Sequence, residues 1–117
     1  MSELKVIVVG ASGRMGRMLV RAVTEAKGAV LAGATERSGS PFVGRDAGEL
    51  AGVETLGIRL VDNINDGAKA DVLIDFTTPV ATLQHAVFVA ERGMGIVIGT
   101  TGFAAEQLQQ LQDRLSN

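Results

Sequence analysis

The order of segments along the chain predicts a doubly wound α/β domain built on a mostly parallel sheet. Three observations carry this. Short apolar or β-branched runs alternate with stretches of helical periodicity. Most of the glycines stand at the ends of those runs. The first run passes straight into a glycine-rich turn that opens a helix. Strands separated by helices pair in parallel, because each crossover returns the chain to the same end of the sheet and lays helices on both faces.

Residues 4–9 (Leu-Lys-Val-Ile-Val-Val) form a β-branched run stopped by Gly10 and read as a strand buried on both sides. A helix is predicted over residues 14–27. Met15, Leu19, Ala22, Val23 and Ala26 form its inward stripe, Met18 is half-exposed filler, and Gly28 closes the helix. Residues 29–34 make a second apolar run, ending in Thr35-Glu36-Arg37.

The glycine-rich stretch 38–57 reads as a surface excursion beside a ligand site, with a short helical turn near residues 47–51. A weak edge strand at 58–61 and a helical turn at 64–69 follow. Residues 71–76 (Asp-Val-Leu-Ile-Asp-Phe) are a strand. Thr78 and Pro79 then supply the cap and first position of a helix running to about Arg92, with Leu83, Ala86, Val87 and Ala90 inward and Gly93 as its stop. A strand at 95–98 opens into Gly99-Thr100-Thr101-Gly102, and a polar amphipathic helix over 104–115 completes the order.

Composition narrows the function. At 117 residues the chain is read as one domain, residues 1–117. The net charge of −2, scattered basic residues and lack of Tyr and Trp give no footprint for nucleic acid. Without cysteine there is neither a disulfide framework nor a thiolate metal site. No apolar run approaches the ~20 residues that span a bilayer. The first residues lack the layout of a signal peptide, so a cytoplasmic location with no membrane partner is expected.

The turn Gly10-Ala11-Ser12-Gly13-Arg14-Met15-Gly16 carries the chemistry. A pyrophosphate needs close backbone approach, free N–H donors and a favourable dipole, all of which a strand–glycine turn–helix provides. The spacing is G-x-x-G-x-x-G, one residue longer than the common dinucleotide fingerprint. Arg14 and Arg17 in the first helical turn oppose the helix dipole by ~0.3–1 kcal/mol each. A bound anion reverses that sign, so Arg14 reads as an anion contact and Arg17 more as a solvated side chain. Glu36 follows Gly16 by twenty residues, where an acid accepts from an adenosine ribose; Arg37 beside it is placed to pair with a 2′-phosphate. The cofactor expected on this Rossmann-type domain is therefore NADH or NADPH.

With that turn, Glu36-Arg37, Asp75-Phe76-Thr77-Thr78-Pro79 and Gly99-Thr100-Thr101-Gly102 in order, the chain resembles dihydrodipicolinate reductase, an oxidoreductase of the diaminopimelate route to lysine. The resemblance implies hydride transfer from NAD(P)H to a cyclic unsaturated imine dicarboxylate. It implies that Gly10, Ala11, Ser12, Gly13, Arg14 and Met15 line the pyrophosphate, that Glu36 and Arg37 hold the adenosine end, and that Phe76 and Thr77 lie along the cofactor. Gly99, Thr100 and Thr101 come near the nicotinamide, with Thr101 also touching a substrate carboxylate. Where the family often carries a basic residue after Asp-Phe-Thr, this chain has Thr78. The family's substrate domain, with its presumed proton donor, has no counterpart here. The fold expected is thus a truncated Rossmann sheet that binds dinucleotide without turnover, with no catalytic residue of its own and a free edge at residues 95–98 through which it self-associates.

Plainer readings accompany these. Asp71 is a strand start and Asp75 structural or ligand-adjacent. His85, the lone histidine, reads as solvent-facing, with an adenine-pocket wall as its alternative; no metal site is read. Thr77, Thr78 and Pro79 also serve simply to begin a helix, and Gly99 and Gly102 are also ordinary turn glycines. The competing function is a non-catalytic nucleotide- or CoA-binding module. Glu36 discriminates, since it suits a free ribose and repels a 3′-phosphorylated one.

Overall fold

The computed structural model describes residues 3–64 and 69–115. Its elements are β1 (Leu4–Val9), α1 (Arg14–Glu25), β2 (Ala29–Thr35), α2 (Ala47–Leu50), β3 (Val72–Asp75), α3 (Pro79–Arg92), β4 (Gly95–Ile98) and α4 (Ala105–Leu115). The four strands form one sheet in the order β2-β1-β3-β4, every neighbouring pair parallel. The chain starts at an inner strand, crosses outward to β2, then returns to the other side of β1 for β3 and β4. That reversal puts a topological switch point between β1 and β3, the place where open α/β sheets form a ligand crevice beyond the strands' carboxyl ends.

Alternation along β1 builds two cores. Val6 and Val8 pack with Val20 and Val23 of α1 and with Leu31, Ala34, Ala47 and Leu60 on one face. Ile7 and Val9 pack with Leu73, Phe88 and Val89 on the other. Both faces of β1 are therefore covered, which is why the strand is apolar without alternation.

The helix stripes differ from those expected. In α1 the buried residues are Gly16, Val20 and Val23, with Leu19 packed beside them, while Ala22 and Ala26 are exposed and Met15 is 42% exposed. The turn forces this rotation. A Cβ on Gly16 would stand 2.1 Å from the Gly10 carbonyl oxygen, so it is Gly16, not Met15, that faces the sheet. In α3 the buried set is Thr82, Leu83, Ala86, Phe88 and Val89, whereas Val87 and Ala90 point outward. The α3 ends are as predicted. Thr78 Oγ1 accepts from Ala81 N, Pro79 begins the helix, and Gly93 closes it in the left-handed region at φ 65°.

Residues 38–57 are more than a surface excursion. Phe42, Leu50 and Leu56, together with the following Ile58, pack onto the α1 face of the core. The Asp46 carboxylate organises the segment by accepting from Glu49 N (3.0 Å), Leu56 N (3.1 Å) and Gly57 N (2.8 Å). The strand expected at 58–61 is reduced to two isolated bridges, Asp46 with Arg59 and Thr35 with Val61. Residues 65–68 of the helical turn expected at 64–69 lie outside the described residues. Asp71 acts as a strand start, its Oδ2 accepting from Lys5 N at 2.8 Å. β4 forms one edge of the described sheet. No described helix is long and apolar enough to cross a membrane.

Candidate cofactor site

A crevice of about 980 Å³ lies outside the carboxyl ends of β1, β2 and β3. Gly10, Ser12 and Gly13 of the turn form one wall, Glu36, Arg37 and Ser38 another, and Phe76, Thr77 and the exposed side of early α3 a third. Seven of the sequence-derived candidates thus meet in one space: Gly10, Ser12, Gly13, Glu36, Arg37, Phe76 and Thr77.

The turn that closes this crevice is shaped by contacts a side chain would break. Gly10 sits at φ 70°, and a Cβ there would meet Thr77 Cγ2 at 2.9 Å. Ala11 is buried and its N–H donates to Thr35 O (3.0 Å), so it positions the turn from beneath and lines no part of the crevice. Gly13 is the N-cap of α1 and offers no side-chain cap. Among the described residues no backbone acceptor takes the N–H groups of Arg14, Met15 or Gly16. The helix therefore starts with unused donors and the positive end of its dipole beside the crevice, an arrangement that fits an anionic diphosphate.

The two early arginines separate. Arg14 is exposed, outside the crevice lining and without a partner among the described residues. Arg17 is occupied: its Nε donates to Ser12 O (2.8 Å), its Nη1 reaches Leu50 O (3.4 Å), and the guanidinium lies 5.1 Å from the Phe42 ring centroid. Arg17 ties the turn to the 38–57 segment instead of facing an anion.

Glu36 leaves the end of β2 and meets the turn. Its Oε2 accepts from Ser12 N (3.1 Å) and from Ser12 Oγ, and its Oε1 accepts from Arg37 N (2.9 Å). Burial raises its pKa, but the Ser12 hydroxyl, the Arg37 and Ser12 amides and the Arg37 charge outweigh that, so Glu36 is held below the ordinary carboxylate value. The acid is ionised at the site's floor.

At the other end stands a network the sequence did not reveal. Asp75 is completely buried at the end of β3. Its Oδ1 accepts from Thr77 N (3.0 Å), Thr77 Oγ1 (2.5 Å) and Thr100 Oγ1 (3.3 Å), and its Oδ2 meets His85 Nδ1 at 2.7 Å. Thr82 Oγ1 donates to Thr100 Oγ1 (2.8 Å), and Thr100 Oγ1 also accepts from Thr77 N (3.0 Å). Burial pushes the Asp75 pKa up, but hydrogen bonds from His85 and Thr77 and the His85 charge more than offset it, leaving the carboxyl below its usual range.

His85 is therefore not solvent-facing. Its side chain is 14% exposed, paired with a buried carboxylate, and lines the crevice. The helical wheel misplaced it because the inward stripe of α3 runs through Thr82 and Val89, which turns position 85 toward β3. An acid at the end of one strand followed ten residues later by a histidine on the next helix was the available signal. Asp71, by contrast, is an exposed strand start.

The Gly99–Thr101 segment lies outside the crevice lining. Gly99 is a close-approach glycine, since a Cβ there would fall 1.9 Å from the Phe76 ring. Thr100 belongs to the Asp75 network, and Thr101 is exposed. Met15 is exposed at the helix start, also outside the lining. No group of three or more His, Cys, Asp or Glu among the described residues is placed to hold a metal ion.

Comparison with known proteins agrees with this geometry. A family model described as "Dihydrodipicolinate reductase, N-terminus" matches residues 4–117. A 4-hydroxy-tetrahydrodipicolinate reductase of Burkholderia ambifaria (strain MC40-6) is 50% identical over 110 residues, covering 93% of this chain and 41% of its own length. One from Bradyrhizobium diazoefficiens is 52% identical over 105 residues, covering 89% of this chain and 39% of its own. The chain thus spans about two fifths of the length of these curated relatives. Among solved structures, a dipicolinate-bound dihydrodipicolinate reductase from Paenisporosarcina sp. TG-14 superposes with TM-score 0.71 at 26% identity, over 96% of this chain and 43% of that one. A myo-inositol dehydrogenase from Corynebacterium glutamicum matches with TM-score 0.75 at 16% identity, over 97% of this chain and 33% of that one, a likeness of fold alone.

Proposed function

The chain belongs to the dihydrodipicolinate reductase N-terminal family, and from that premise we propose that it binds NADH or NADPH in the crevice at the strands' carboxyl ends. The diphosphate lies over Gly10 to Gly13 and the start of α1, with Arg14 closing on it from the exposed side and Met15 supplying a backbone N–H. Glu36 takes the adenosine ribose and Arg37 a 2′-phosphate. Phe76 and Thr77 run along the cofactor toward Gly99, Thr100 and Thr101 at the nicotinamide end, where Thr101 also reaches a substrate carboxylate. When bound, the nicotinamide would supply the hydride by which the family's enzymes reduce a cyclic unsaturated imine dicarboxylate in lysine and diaminopimelate synthesis. The residues of this chain bind and orient it, and none is assigned a proton transfer.

One observation carries the reading. An ionised carboxylate and the amides of an uncapped glycine turn stand on adjoining walls of the crevice, joined at Ser12. That pairing suits a sugar hydroxyl next to a diphosphate, and it disfavours a 3′-phosphorylated ribose, which would bring like charge to Glu36.

Titration with each reduced cofactor, followed by nicotinamide fluorescence, tests it; with no Trp or Tyr the protein contributes little background. Glu36→Ala is expected to weaken NADH and Arg37→Ala to weaken NADPH selectively, each by the ~1.5–3 kcal/mol of a charge-assisted hydrogen bond. Unchanged binding in both variants overturns the ribose assignment, and no binding by the unaltered chain overturns the whole reading.

A further inference from the structure

We propose that Ser12 is a specificity-determining residue that holds Glu36 against the glycine turn and so biases the crevice toward the unphosphorylated ribose of NADH. The inference rests on the cofactor reading above and deepens it.

A carboxylate offers about four lone-pair positions. On Glu36 three are in use. Oε2 takes both the amide and the hydroxyl of Ser12, and Oε1 takes the amide of Arg37. One position on Oε1 remains, enough to accept a single ribose hydroxyl with the carboxylate left in place. A 2′-phosphate has no proton to give it and brings negative charge to an ionised neighbour. To admit that phosphate beside Arg37, Glu36 must turn away, and turning away breaks two bonds to Ser12 together.

The hydroxyl is the adjustable part. The Ser12 amide belongs to a turn fixed by Ala11 N on Thr35 O and by Arg17 Nε on Ser12 O, so its direction survives a change of side chain. Removing Oγ leaves Oε2 on one amide donor in place of two, with Oε1 still on the Arg37 amide, so Glu36 rotates toward solvent more readily. A hydroxyl at position 12 thus acts on the cofactor through the carboxylate. It selects by restraining Glu36, not by touching the 2′ position.

The test compares dissociation constants for NADH and NADPH in the unaltered chain, Ser12→Ala, Ser12→Gly and Ser12→Thr, with thermal midpoints measured alongside. Loss of the hydroxyl is expected to shift the affinity ratio about tenfold toward NADPH, the value of one hydrogen bond of ~1.4 kcal/mol. Ser12→Thr restores a hydroxyl and is expected to return the ratio toward that of the unaltered chain, which a merely structural role would not do. Ser12→Gly repeats the deletion without a side chain, so instability of one variant leaves the other to decide. An unchanged ratio in both deletions, a shift toward NADH, or a Ser12→Thr ratio that tracks Ser12→Ala overturns the proposal while leaving cofactor binding intact. Failure of the unaltered chain to bind either cofactor removes the underlying reading instead.

Discussion

Asp75 offers the sharpest test of how the crevice wall is held. Replacing it with Ala removes a fully buried carboxylate that meets His85 Nδ1 at 2.7 Å and Thr77 Oγ1 at 2.5 Å. Two other donors have alternatives, because Thr77 N also donates to Thr100 Oγ1, and the Thr100 hydroxyl also lies 3.4 Å from Asp75 O, which the variant keeps. The loss therefore concentrates on His85 and the Thr77 hydroxyl. Two hydrogen bonds to a charged group at ~1.5–3 kcal/mol each give roughly 3–6 kcal/mol. That is a large share of the ~6–18 kcal/mol expected for a chain of this length. Urea unfolding followed by far-UV circular dichroism reads it out, and with m of ~2 kcal/mol/M the midpoint is expected to fall by roughly 1.5–3 M. Asp75→Asn keeps the shape and one acceptor oxygen, so it should cost markedly less. The pH dependence has a definite sign. The folded pKa lies below the unfolded value of 3.8, so the carboxylate's contribution is complete above that value and is lost as pH falls through the lower folded one. The gap between the unaltered chain and Asp75→Ala should close in acid. Equal losses in Asp75→Ala and Asp75→Asn, or a gap that fails to narrow as pH falls below 3.8, would refute the reasoning.

Other expectations follow from single contacts. Gly16→Ala drives a Cβ to 2.1 Å from the Gly10 carbonyl oxygen, with Ala11 backbone atoms at 2.7 and 2.9 Å, so the turn must open; calorimetry should record a depressed thermal midpoint and the cofactor titration a weakened diphosphate site. Asp46→Ala strips the acceptor from three amides of the 38–57 segment. It should cost about 1–2 kcal/mol as an N-cap loss, with hydrogen exchange accelerating at Leu56 and Gly57 while β1 stays protected. Thr78→Ala removes the cap of α3 and should cost ~1 kcal/mol, seen in urea melts.

Much of this architecture is written in local sequence. Strand boundaries at Leu4–Val9 and Gly95–Ile98 follow from apolar runs ended by glycine, and the start of α3 from Thr78-Pro79. These are properties of φ, ψ and nearest-neighbour capping, which a few consecutive residues settle. The glycine turn was legible for the same reason, as was Glu36 by its distance along the chain.

What neighbours in sequence could not convey is how elements dock. Residues 58–61 have the composition of a strand, yet the 38–57 segment beside them leaves only isolated bridges. The α1 stripe turned because Gly16 must pass against the Gly10 carbonyl, a steric condition that exists only once strand and helix meet. His85 became part of the crevice because α3 lies across the end of β3 with that face down, joining groups ten residues apart. The Ser12–Glu36 contact spans twenty-four residues, with α1 and β2 between its partners. Periodicity tells a helix which sides are apolar, but several rotations satisfy a broad stripe nearly equally. Buried polar groups that must find partners choose among them, and those partners come from distant parts of the chain.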